Sequence, residues 1–197
     1  MKDEFYADNR DLIKWGGIVH LCGIKGISHV TYVAYYRDSI WPLLDFEGKV
    51  SQIPDTVIRH FRNINDIKRL GREAGLAITV IEETFNRNSR EQYTEKAGLE
   101  VKKQDERQVV FLDPDTGLAI QNANEVHVKP DEINTIWQLM KKGDYLVLYQ
   151  HSFRDSGWKI KRQQELAEAI RVNRDKVNIW QASEKIMDVA FYYLEKS

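Results

Sequence analysis

The sequence holds a single cysteine, Cys22, so no disulfide can form within the chain. Cys22 falls in an apolar pattern with Ile18, Val19, Leu21 and Ile24, which reads as the buried face of a helix more readily than as a reactive thiol. No apolar run approaches the roughly 18 residues of a membrane span, which excludes an integral helical membrane protein. The opening Met1-Lys2-Asp3-Glu4 is acidic and lacks the basic stretch, apolar segment and small-residue cleavage site of a secretory signal, so a cytoplasmic location is expected. Charge of one sign is missing too: 29 basic and 30 acidic residues leave a net charge of −1, and no global field draws the chain onto nucleic acid. Several motifs are absent: no His-Glu-x-x-His, cysteine zinc site, P-loop or nucleophile elbow is present. A nuclease Glu-x-Lys is missing as well, because His127 stands where Lys would be needed after Glu125.

What remains is 197 residues with 42% hydrophobic and 30% charged side chains, the profile of one globular domain spanning 1–197. Asp8-Asn9-Arg10-Asp11 offers capping residues ahead of Leu12, Ile13, Trp15, Ile18, Val19 and Cys22 at helical spacing, and predicts a helix ending near Gly23 or Gly26. His29 to Tyr36 is β-branched, aromatic and almost continuously apolar, as in a strand covered on both faces. Residues 37–51 are irregular, with helical spacing resuming from Val57 to Leu70. Leu76–Ile81, Gln108–Leu112 and Tyr145–Tyr149 read as further strands. Between them come a helix capped by Ser89 and running to about Lys103, and another opened by Pro130. A helix from about Ser156 to Val172 precedes two closing strands, Val177–Trp180 and Asp188–Leu194, with a short connection. Strand-helix alternation requires right-handed crossovers. The expected fold is therefore α/β: a Rossmann-like three-layer open sheet, mainly parallel, with a C-terminal antiparallel hairpin and one reversed edge strand.

In open α/β sheets ligands bind outside the carboxyl ends of the strands, so the residues that follow each strand are the site candidates. They are Tyr36-Arg37, Glu82-Glu83, Asp113-Pro114-Asp115-Thr116 and Gln150-His151. Asp113 and Asp115 sit on a turn where Pro114 fixes φ and Gly117 permits a sharp exit. Asp115-Thr116-Gly117 equally suits a turn whose Asp side chain bonds its own backbone. His151 suits a base, donor or metal ligand, or a plain turn histidine. His20 and His29 suit core or surface roles, and His60 and His127 have no visible partner. The late helix and its flanks carry Arg154, Lys159, Lys161, Arg162, Arg171, Arg174 and Lys176. This suits a local phosphate-contacting face, although Glu165 and Glu168 interrupt it and a solvated face explains it as well. Trp158 and Trp180 suit packing better than base stacking.

Asp11-Leu12-Ile13-Lys14-Trp15 on an opening helix, Asp113-Pro114-Asp115 after a strand, and then Tyr149-Gln150-His151 form an order that resembles the Rossmann-fold methyltransferases. Within that class it is most similar to the large-subunit ribosomal RNA adenine-N6 methyltransferases and the three-cysteine-motif partner proteins. The resemblance implies S-adenosylmethionine as cofactor, a place for Lys14 in the Asp-x-x-Lys helix, and Asp113 and Pro114 as the residues that hold the amino group being methylated. Two features depart from the pattern. The first strand ends in Tyr35-Tyr36-Arg37-Asp38-Ser39 with no glycine, and Asp113-Pro114-Asp115-Thr116 lacks the aromatic residue that would stack on a target base.

Three functions follow. The first is a methyltransferase-like enzyme, with nucleic acid as its candidate substrate, catalytic candidates Asp113, Asp115 and His151 and binding candidates Lys14, Tyr36, Glu83, Pro114, Thr116, Gln150 and Arg154. The second is a phosphoester hydrolase with Asp113, Asp115 and Glu83 holding a divalent metal and His151 as base. The third is a noncatalytic binding module that has lost the cofactor loop.

Overall fold

The computed structural model describes residue 2 and residues 6–119, 121–153, 155–182 and 186–197. In chain order these form α1 (Asn9–Lys25), β1 (His29–Val33), β2 (Leu43–Phe46), β3 (Lys49–Gln52), α2 (Asp55–Phe61), α3 (Ile67–Glu73), β4 (Ala77–Val80) and α4 (Arg90–Lys103). There follow β5 (Gln108–Leu112), β6 (Gly117–Leu118), β7 (His127–Val128), α5 (Pro130–Leu139), β8 (Tyr145–His151), α6 (Trp158–Ala169), β9 (Asn178–Trp180) and β10 (Val189–Glu195). No helix among the described residues is long and apolar enough to cross a membrane.

A six-stranded sheet runs in the order β4-β1-β5-β8-β10-β9. The first four strands pair in parallel. β10 is antiparallel to both of its neighbours, so β9 points the same way as β8. The hairpin is thus present, but the reversed strand is not the edge. β10 lies between β8 and β9, because seven residues of pairing with β8 bury it on both faces while β9 matches only three.

Alternation along the strands divides the core into two. Val30, Tyr32, Val109, Phe111, Val147, Tyr149 and Phe191 face α1 and α3, packing with Trp15, Ile18, Leu21, Cys22 and Ile67. Val33, Val110, Leu112, Leu146, Leu148 and Tyr192 face α4, α5 and α6. The result is a three-layer, mainly parallel α/β sheet. Cys22 is buried in the α1 layer, and burial pushes its thiol up to about 11. Trp158 is buried and Trp180 stacks on Phe191 at 5.1 Å.

Local chemistry accounts for most boundaries. The Asp8 carboxylate caps α1 by accepting from the N–H groups of Arg10 (2.8 Å) and Asp11 (2.9 Å), and Gly26 ends the helix in the left-handed region at φ 62°. Three expectations change. β1 stops at Val33, because Tyr35 turns to φ 45° and leaves the strand path. Residues 43–52 form a β-hairpin turned by Glu47 and Gly48 at positive φ, in a stretch whose sparse alternation reads as irregular. Ser89 precedes α4 without a side-chain cap, since Asn86 caps the single turn before it.

Candidate functional site

The Trp15 ring meets Tyr32 and Phe111 edge-on at 5.0 and 5.8 Å, which fixes α1 across the sheet with its first turns over the carboxyl ends of β1, β5 and β8. The neighbouring Lys14 therefore reaches the strand ends. Its Nζ donates to Asp11 Oδ1 at 2.7 Å and to Asp113 Oδ2 at 2.8 Å. The Tyr32 hydroxyl donates to the same Asp113 Oδ2 at 2.6 Å. Asp113 itself is only 2% exposed, and its N–H extends the β5–β1 ladder to Val33. Burial alone would lower the Lys14 pKa, but Asp113 and Asp11 outweigh it and hold the ammonium well above its ordinary value. Burial, more than Lys14 can offset, raises Asp11 above the usual carboxylate range. Burial, then Asp113, holds the Tyr32 phenol far above 10.

Around this buried triad opens a cavity of about 430 Å³ whose wall includes Lys2, Asp8, Arg10, Asp11, Lys14, Arg37, Asp113, Asp115, Tyr149 and His151. Asp113, Asp115 and His151, distant in sequence, are thus gathered on one rim. Asp115 forms an ion pair with Arg37, which replaces the self-bonded turn that Asp115-Thr116-Gly117 suggested. His151 Nε2 lies 3.2 Å from Asp188 Oδ2, and Asp188 is also paired with Arg10. Burial pushes the Asp188 carboxyl up, but the Arg10 hydrogen bond and charge, together with His151, bring it below the usual range.

Gln150 supports this rim from behind. Its Oε1 accepts from Leu118 N–H at 2.9 Å and its Nε2 donates to the Thr116 carbonyl at 2.8 Å, while His151 N–H donates to the same carbonyl at 3.0 Å. Gly117 stands at φ 107°, and a Cβ there would lie 2.4 Å from the Gln150 amide, so only glycine lets the two segments close. Thr116 and Gln150 hold the turn through backbone and amide groups. Pro114, Tyr36 and Glu83 do not line the cavity; Tyr36 packs against the α1-side core and Glu83 pairs with Lys96. Arg154 lies outside the described residues. On α6, Arg162 pairs with Glu165 and lies 4.1 Å over the Phe153 ring. His127 pairs with Asn124 and His29 with Thr79.

Sequence reasoning missed Asp188, Arg10 and Tyr32. Asp188 directly precedes β10, and because that strand is reversed, its start rather than its end reaches the ligand rim. Arg10 is masked by its place among capping residues, and Tyr32 by a strand reading that treats it as core.

The hydrolase reading asked for a divalent metal. Among the described residues no group of three or more His, Cys, Asp or Glu side chains is placed to hold one. For S-adenosylmethionine, the mixed charges of the cavity wall match the ammonium and carboxylate of its amino-acid end. Among the described residues, the space beside the ends of β1 and β4 is filled by buried rings. There Tyr35, Phe85 and Tyr93 are buried with ring centroids 5.0 to 5.4 Å apart, and Tyr35 N–H donates to the Tyr93 hydroxyl at 2.9 Å.

No family model matches the chain, and no curated protein matches it. Among solved structures, the chain is similar to a crystal structure described as a "putative rRNA-methylase" from Clostridium thermocellum, at 10% identity over 92% of this chain and 96% of that one, with a TM-score of 0.40.

Proposed function

We propose that the chain is a methyltransferase-like enzyme that acts on an amino group, borne by a nucleic acid, with S-adenosylmethionine as the methyl donor. The observation that carries this reading is the half-locked carboxylate of Asp113. Its Oδ2 takes both Lys14 and Tyr32, while no described residue donates to its Oδ1, and the side chain borders the cavity. A carboxylate has about four acceptor positions, so two remain for an incoming N–H. The hydrogen bonds from Lys14 and Tyr32 to Oδ2 keep the group from rotating, which pre-organises Oδ1 as an acceptor for a substrate amine. Lys14 pairs with both Asp11 and Asp113, residues of the two segments that the family resemblance brackets together.

The cofactor, when bound, supplies an electrophilic methyl group; Arg37, Lys2, Asp8 and Asp11 are the charged residues that would hold its amino-acid end. In this reading exposed basic residues of the α6 region, such as Lys161 and Arg171, approach nucleic-acid phosphates. The test is transfer of labelled methyl from S-adenosylmethionine to total RNA and to DNA. Transfer that falls at least a hundredfold in Asp113→Asn, with folding intact, supports the reading. No transfer, or transfer that Asp113→Asn leaves unchanged, contradicts it.

The ring cluster of Tyr35, Phe85 and Tyr93 favours a second reading, in which the fold serves as a binding module. Under that reading the protein binds no S-adenosylmethionine, and Asp113→Asn alters partner affinity alone.

A further inference from the structure

We propose that the Tyr149 hydroxyl is a specificity-determining group that contacts substrate alongside Asp113 Oδ1, so that the cavity offers one hydrogen-bond donor beside one acceptor. This rests on the reading of Asp113 as the amine acceptor.

The strand register places the two side chains. Leu112 is opposite Leu148 in the parallel β5–β8 pair, so Asp113 and Tyr149 occupy the next matching positions. Neighbouring parallel strands lie about 4.8 Å apart, and matched residues point to the same face. Both side chains border the cavity on the α1 side of the sheet. The Tyr149 ring is fixed: the residue is 5% exposed, Phe191 meets it at 5.7 Å and Lys14 Nζ lies 5.2 Å from its centroid. Its hydroxyl has no hydrogen-bond partner among the described residues, although buried tyrosine hydroxyls usually find one. Burial raises the phenol well above 10, so it remains a neutral donor throughout the physiological range.

A donor and an acceptor side by side fit a flat edge that presents an N–H next to a ring nitrogen, as in an aminopyrimidine or aminopurine. An alkyl ammonium carries donors only: the phenolic oxygen could accept from it, but the O–H would be left without an acceptor, whereas a ring nitrogen beside the amine supplies one. The pair thus discriminates by shape and polarity, since a site built to bond a polar atom rejects analogues that lack it.

The experiment compares binding of adenosine with that of 1-deazaadenosine, which keeps the amine and loses the adjacent ring nitrogen. Cytidine and 3-deazacytidine form a second matched pair, and binding is read by calorimetry and by NMR of ring-labelled tyrosine. We expect wild-type protein to prefer the intact member of at least one pair by about tenfold, the Tyr149 signal to shift on binding, and Tyr149→Phe to lose the preference while keeping the fold. Equal preference in wild-type and Tyr149→Phe, or no binding of any of these nucleosides at millimolar concentration, overturns the inference. S-adenosylmethionine binding together with an unchanged ratio in Tyr149→Phe overturns this inference and leaves the proposed function standing.

Discussion

Lys14 and Asp113, separated by 99 positions, meet at 2.8 Å beneath the first helix, and Asp11 shares the same ammonium at 2.7 Å. The pair ties α1 to the end of β5 at the point where the cavity opens.

Removing the ammonium should therefore cost far more than a surface ion pair would. Lys14→Met leaves two buried carboxylates without their cation, and the expected loss is about 3–5 kcal/mol. Urea denaturation followed by tryptophan fluorescence, with Trp15 at this junction, measures it. A loss under about 1 kcal/mol would mean that the triad does not hold the helix to the sheet.

The turn behind the rim should be equally intolerant of a methyl group. Gly117→Ala would press Cβ against Gln150 and force φ 107° on a residue with a side chain. Gln150→Leu would leave the Leu118 N–H unpaired, at a cost of about 1–3 kcal/mol. Thermal denaturation should show both variants destabilised. An unchanged midpoint for Gly117→Ala would show that Gln150 does not fix the turn.

Acid sensitivity should trace to Asp188. Its folded pKa is depressed, so its contribution is present above the unfolded value of about 3.9 and is lost as pH falls through the folded value. Arg10→Gln should flatten the decline in stability between about pH 5 and pH 2, measured from urea midpoints. Arg10 and Asp188 side chains are 42% and 37% exposed, so the effect should be small and should shrink in 1 M salt. A decline of the same steepness in wild type and variant would assign the acid limb elsewhere.

The sheet was legible because its strands are either continuously apolar, as in Val109–Leu112, or separated by helices with clear spacing. The hairpin at 43–52 was not, since its residues are mostly exposed and carry no buried alternation to mark the pairing. The reversed strand was recognisable, but its place inside the sheet was not, because pairing length rather than connection length decides the edge. At the site, the strand-end rule found Asp113, Asp115 and His151 together on one cavity wall. The same rule pointed to Glu83, which lies away from that cavity, and it passed over Asp188, whose strand enters the rim rather than leaving it. Burial decides what sequence could not rank: Asp115 and Asp113 look alike in the chain, yet one pairs with Arg37 and the other joins a buried lysine and tyrosine.

The most direct test of the methyltransferase reading is calorimetric titration of the folded protein with S-adenosylmethionine. The account predicts saturable one-to-one binding that weakens when Arg37 or Asp11 is replaced. Absence of heat at millimolar ligand, with the protein folded, would contradict it and leave the fold as a binding module.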